Sequence, residues 1–140
     1  MRLVLDTNTA LSALLWGGTP GRLLDAAEAG RIELASSAAL LAELQGVLTR
    51  EKFAKQLAKR EVSVSDLFDG YAALVVMVTP ATIAPTIARD PADDQVLAAA
   101  LAARADLIVS GDAHLLDLKT CLGIEIVSAA VAVERIEQAA

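Results

Sequence analysis

Four acidic residues stand where carboxylates could act together: Asp6, Glu43, Asp94 and Asp112. Asp6 ends an apolar run at residues 2–5, and Asp112 follows a second apolar run at 107–110. In an open parallel sheet, ligands bind beyond the carboxyl ends of the strands. Both carboxylates are therefore expected on one rim. Glu43 and Asp94 lie on predicted helices that begin at that rim. Over residues 38–48, Leu40, Leu41, Leu44, Val47 and Leu48 form an apolar stripe, and Glu43 falls at its edge at about 100° per residue. After Pro91, the stripe is Val96, Leu97, Ala100 and Leu101, and Asp94 borders it beside Leu101. A carboxylate beside buried surface is costly without a partner. A hard divalent cation that prefers oxygen ligands is the natural one. Such a constellation suits phosphodiester cleavage, where a metal activates water and stabilises charge on the scissile phosphate.

Each acid also has a structural reading. Asp6 is a good helix N-cap, and Asp112 after Gly111 is a good turn residue. Glu43 could be a solvated helix acid. Asp90 reads as an N-cap, Pro91 as the first helical residue, and Asp93 as the acid of a capping box. Asp94 has no capping role.

Composition limits the alternatives. The chain has 140 residues, 55% of them hydrophobic and 21% charged. That excludes a disordered chain and suits one domain, residues 1–140, with a sizeable core. The single cysteine, Cys121, excludes an internal disulfide framework and fits a reducing, cytoplasmic compartment. Mean hydropathy is +0.51, but the apolar runs are far shorter than the roughly 20 residues of a spanning helix. Asp6 and Asn8 interrupt the apolar start, so no signal-peptide pattern appears. No membrane association is expected. The net charge of −6 and the 3% aromatic content argue against a protein held on nucleic acid by bulk charge or by many stacking platforms.

The elements that must position the acids alternate along the chain. Strands are expected at residues 2–5, 32–35, 74–78, 107–110 and 125–127. Helices are expected at 9–15, 20–29, 38–48, through 51–71, from 90 to about 103, and at 129–137. Short apolar strands alternating with helices predict a mostly parallel sheet covered on both faces, a three-layer α/β/α sandwich.

The segments Leu3-Val4-Leu5-Asp6-Thr7-Asn8, residues 36–43, Asp90-Pro91-Ala92-Asp93-Asp94 and Val109-Ser110-Gly111-Asp112, in this order, resemble the PIN-domain family. The likeness is strongest to its bacterial toxin branch, the VapC-like ribonucleases of type II toxin–antitoxin pairs. The resemblance implies a PIN-like fold and endoribonuclease activity dependent on Mg2+ or Mn2+. It implies that Asp6, Glu43, Asp94 and Asp112 bind the metal and that Asn8 and Ser110 support the acids or the attacking water. It also implies a homodimer and a cognate antitoxin protein. Asp94 is preferred to Asp93 because the family's acid precedes an aliphatic residue by three positions, here Leu97; Asp93 has Val96 at that distance and shares the supporting role.

Other residues carry weaker signals. Lys52, Lys55 and Lys59 are spaced to share one helix face, with Phe53 and Leu57 away from it. That face is either solvated or a contact for RNA phosphates. His114 lacks a His or Cys partner at metal spacing and reads as a surface loop residue. Cys121 reads as a small buried hydrophobe. Trp16 could fill a core or a dimer seam. Two other functions compete with the ribonuclease reading. One is a Rossmann-like phosphohydrolase with Asp6 as nucleophile, although Asn8 stands where such enzymes carry a second acid. The other is a catalytically silent PIN-like binding module.

Overall fold

The computed structural model describes residues 1–82 and 91–139. Six strands form one sheet, with β1 (Arg2–Leu5), β2 (Glu33–Ser36), β3 (Val76–Met77), β4 (Leu107–Val109), β5 (Thr120–Cys121) and β6 (Ile124–Val127) in the order β3-β2-β1-β4-β6-β5. All neighbours are parallel except β5, which runs antiparallel to β6. Among the described residues, eight helices flank the sheet: α1 (Thr7–Leu15), α2 (Gly18–Glu28), α3 (Ala38–Leu48), α4 (Ala54–Lys59), α5 (Val64–Leu74), α6 (Pro91–Ala103), α7 (Ala113–Leu118) and α8 (Ala129–Ala139).

The pleat sorts the core into two halves. Leu3, Leu5, Leu34, Leu107 and Val109 face one side and pack with α1, α2, α5 and α8. Val4, Ala35, Ile108 and Ile126 face the other and pack with α6 and with Leu115 of α7. α3 serves both halves, Leu41 and Leu44 on the first and Leu40 on the second. This is the expected three-layer sandwich.

Four local differences from the sequence expectation have physical causes. The helix expected through 51–71 is a 3-10 turn (Glu51–Phe53), α4 and α5, broken where Glu61 takes φ 55° and Ser63 caps the next helix by accepting the Asp66 amide (3.0 Å). The strand expected at 74–78 is only Val76–Met77, because α5 runs on to Leu74. α7 stands where His114 is expected in a surface loop, because Asp112 caps the helix by accepting the His114 amide. The β5–β6 hairpin was missed because its two-residue turn is Leu122-Gly123, both at positive φ (51° and 82°). Two positive φ angles mark a type I′ turn, which ordinarily carries Asn or Asp first. Asp90, the expected cap of α6, lies outside the described residues.

Candidate metal and nucleic-acid site

The parallel register sets one transverse row at the carboxyl ends of the strands. Leu5 pairs with Val109, and Val109 with Val127. One step further places Asp6, Ser110 and Ser128 side by side. Backbone bonds confirm it: the Asp6 amide donates to the Val109 carbonyl (3.0 Å) and the Ser110 amide to the Val127 carbonyl (3.0 Å). Strand pairing therefore delivers these three side chains to one edge.

Asp6 is buried, 7% exposed. It caps α1, with Oδ1 accepting the Thr9 amide at 2.8 Å. Its Oδ2 accepts the hydroxyl proton of Ser110. The Ser110 oxygen in turn accepts the Asp112 amide (3.0 Å), and Asp112 Oδ1 accepts the His114 amide (2.7 Å). Asp6 and Asp112 are thus both helix caps and are bound together through one serine. Capping and the acid role do not compete, because a carboxylate oxygen that accepts one bond retains a second lone pair.

Tyr71 of α5 is a site neighbour that the sequence did not single out. It is buried in the same core half as α1. Burial raises its phenol above the ordinary range, and the negative charge of Asp6 adds to the effect. The only available signal was a lone tyrosine in phase with Leu67 and Leu74 on an apolar helix face.

The remaining acids stand on helices that start at the same rim. α3 begins where β2 ends, and α6 ends where the approach to β4 begins, so both helices start at the carboxyl edge of the sheet. Glu43, one turn into α3, is half-buried. Among the described residues, no three His, Cys, Asp or Glu side chains are grouped closely enough to hold a metal ion. The structure brings Asp6 and Asp112 together through Ser110, and places Glu43 and Asp94 on the helices that start at the same rim.

The phase of α6 differs from the expected one. Asp93 is buried, 8% exposed, whereas Asp94 is half-exposed. Asp93 lies in phase with the fully buried Leu97 and Ala100, and Asp94 with the half-buried Leu101. The stripe is centred one residue earlier than expected, because the alanines around it give little polar contrast for fixing phase. Asp94 acts on the sheet edge as well: its charge adds to burial in raising the Cys121 thiol on β5 above its ordinary range.

A cleft of about 300 Å³ opens beside Asp112. Asn8, Thr9, Ser12, Ser110 and Ser128 line it with hydroxyl and amide groups, and among the described residues no lysine or arginine enters its wall. Asn8 is exposed on the first turn of α1. His114 is exposed, as expected, but on α7 and not in a loop.

The expected lysine face is divided. Lys52 belongs to the 3-10 turn, while Lys55 and Lys59 lie on α4; all three are exposed. The Lys52 ammonium sits 5.1 Å from the Phe53 ring centroid, so Phe53 does not lie away from it. The inner side of α4 is polar too: Gln56 Nε2 donates to the Leu15 carbonyl (2.8 Å) and the Arg60 guanidinium to the Leu14 carbonyl. These two donors satisfy the exposed carbonyl end of α1.

No helix among the described residues is long and apolar enough to cross a membrane. Among curated proteins, none is significantly similar to the chain. Among solved structures, VapBC2 from Rickettsia felis, bound to a DNA fragment from their promoter, matches with a TM-score of 0.59 and 17% identity, covering 90% of this chain and 97% of the other. FitAcB from Neisseria gonorrhoeae matches with a TM-score of 0.45 and 20% identity, covering 91% of this chain and 98% of the other. The first of these shares the fold. The family model described as PIN domain matches residues 2–114, more than half of the sequence. The chain belongs to the PIN domain family.

Proposed function

We propose that residues 1–140 act as a single unit, a metal-dependent endoribonuclease that is the toxin of a toxin–antitoxin pair. The observation that carries this reading is the Asp6–Ser110–Asp112 connection, which holds two carboxylates at the carboxyl edge of adjacent parallel strands. The donor chemistry fits a hard cation. Asp6 is buried, and the donors to its carboxylate, the Thr9 amide and the Ser110 hydroxyl, are both neutral; the ion pairs Arg2–Glu33, Arg22–Glu137 and Arg135–Glu125 lie elsewhere. All proposed ligand atoms are carboxylate oxygens, as Mg2+ and Mn2+ prefer.

In this reading Asp6, Glu43, Asp94 and Asp112 hold Mg2+ or Mn2+, with Asp93 in support; the burial of Asp93 gives it a claim equal to that of Asp94. When bound, the cation lowers the pKa of water and neutralises charge at the scissile phosphate. Ser110 fixes the rotamer of Asp6 and the turn that carries Asp112. Asn8 presents an amide to the cleft, where it can orient water or a phosphate oxygen. Lys52, Lys55 and Lys59 contact RNA phosphates. The partners are a cognate antitoxin and a second copy of the chain, in the cytoplasm. The VapC-like motifs and the fold shared with VapBC2 support this assignment.

The test is cleavage of RNA by the purified protein with Mg2+, with Mn2+ and with EDTA. Cleavage in either metal, lost in EDTA and in Asp6→Asn, is the expected result. Cleavage that persists in EDTA, or no cleavage of any RNA, overturns the reading.

A further inference from the structure

We infer that Trp16 and Lys52 form a base-stacking post for single-stranded RNA, placed one helix length from the acids. The inference rests on the ribonuclease reading and adds a contact to it. Trp16 is the last residue of the α1 turn and is 56% exposed, although it is the chain's largest apolar side chain. Its ring is held edge-on against the buried Phe53, with centroids 5.8 Å apart and planes at 73°. The Lys52 ammonium lies over the other partner of that pair, 5.1 Å from the Phe53 centroid. An indole fixed at its edge keeps a face available, and a cation nearby suits a polyanion.

Helix geometry connects this post to the cleft. Asn8, Ser12 and the C-cap Trp16 follow one another at i, i+4 and i+8 along α1, each turned about 40° from the last, so they form one slanting row across its accessible side. Asn8 and Ser12 line the cleft beside Asp112. At 1.5 Å per residue, the rise from Asn8 to Trp16 is about 12 Å. A strand leaving the acids through the cleft is thereby led to the indole.

The surroundings favour RNA over a protein seam. Gly18 and Thr19 are exposed and small, and the other large exposed apolar residues described (Met1, Val76, Met77, Leu118 and Leu122) lie on the sheet strands or their flanks. Trp16 is therefore not part of an extended apolar patch of the kind that marks protein interfaces. Exposed Arg50 and Lys52 precede Phe53, and exposed Lys55 and Lys59 follow it, in a chain that is acidic as a whole. Stacking on an aromatic ring is tolerant of base identity, and flanking lysines add phosphate contacts.

Trp16 is the only tryptophan, so its fluorescence reports this position alone. Short oligouridylate is titrated into the full-length protein in EDTA, which prevents metal-dependent cleavage, while anisotropy of labelled RNA measures binding. The expected result is saturable quenching of the emission in step with binding. Trp16→Ala should weaken affinity by about five- to a hundredfold, and Trp16→Phe should restore most of it. Circular dichroism checks that both variants are folded. RNA binding with unchanged emission, or equal affinity in Trp16→Ala, overturns the inference and leaves the ribonuclease reading standing. An emission change driven by protein concentration alone assigns Trp16 to a seam between copies and also overturns it. Failure to bind or cleave RNA removes both.

Discussion

Ser110 joins Asp6 to Asp112: its hydroxyl donates to one carboxylate while its oxygen accepts the amide of the residue that bears the other. A single side chain on β4's end therefore sets the rotamer of an acid on β1's end and the turn into α7. Ser110→Ala should cost about 1–3 kcal/mol, because it leaves a buried carboxylate oxygen and an amide without their partner. Urea unfolding measures that loss. RNA cleavage should fall with it, and Ser110→Thr, which keeps the hydroxyl, should recover stability in part.

Asp6→Asn separates charge from capping. Asn is as good an N-cap as Asp, so the Thr9 amide keeps its acceptor and the melting temperature should stay within a few degrees. Metal-dependent cleavage should fall by orders of magnitude. A variant with full activity would remove Asp6 from the metal site.

Asp93 and Asp94 predict different defects. Asp93 is buried in phase with Leu97 and Ala100, whereas Asp94 is half-exposed and acts on Cys121. In the metal-free protein, Asp94→Asn should lower the Cys121 thiol pKa, since it removes one of the two influences that raise it. Alkylation by iodoacetamide near pH 8 should then accelerate, because the thiolate is the reactive form. Asp93→Asn should leave that rate unchanged. Cleavage assays on the same two proteins show which carboxylate the reaction needs.

The three lysines are tested by salt. Removing three phosphate contacts from a single-stranded complex should lower the slope of log affinity against log salt by about 2. Lys52→Ala/Lys55→Ala/Lys59→Ala is compared with the parent by RNA binding at several salt concentrations. An identical slope identifies a solvated surface.

The sequence made some parts of this molecule legible and concealed others for physical reasons. Short all-apolar strands ending in Asp6 and Ser110 can exist only in a sheet covered on both sides, so the layers and the acid-bearing rim followed directly. The spacing of Leu40, Leu41 and Leu44 on α3 likewise gave its bounds, Ala38–Leu48. α6 was harder. Its run of alanines makes several phases almost equally apolar, and the choice between Asp93 and Asp94 turned on one residue. Tyr71 reached the Asp6 site only through the packing of α5, a non-local relationship that no spacing encodes. The hairpin at Leu122-Gly123 was concealed by a leucine in a backbone conformation where asparagine is usual.

The sheet stops abruptly on both sides. Its outer strands, β3 and β5, are two residues each, and β5 points against its neighbours. Unpaired strand edges are templates for further pairing, and shortening them is one way chains avoid aggregation. Such stubs offer too few backbone groups for another molecule to continue the sheet. Continuation of the sheet is thus a poor route to self-association, and a stable pair of the proposed kind has to bury on the order of 800 Å² per partner through side-chain surfaces instead.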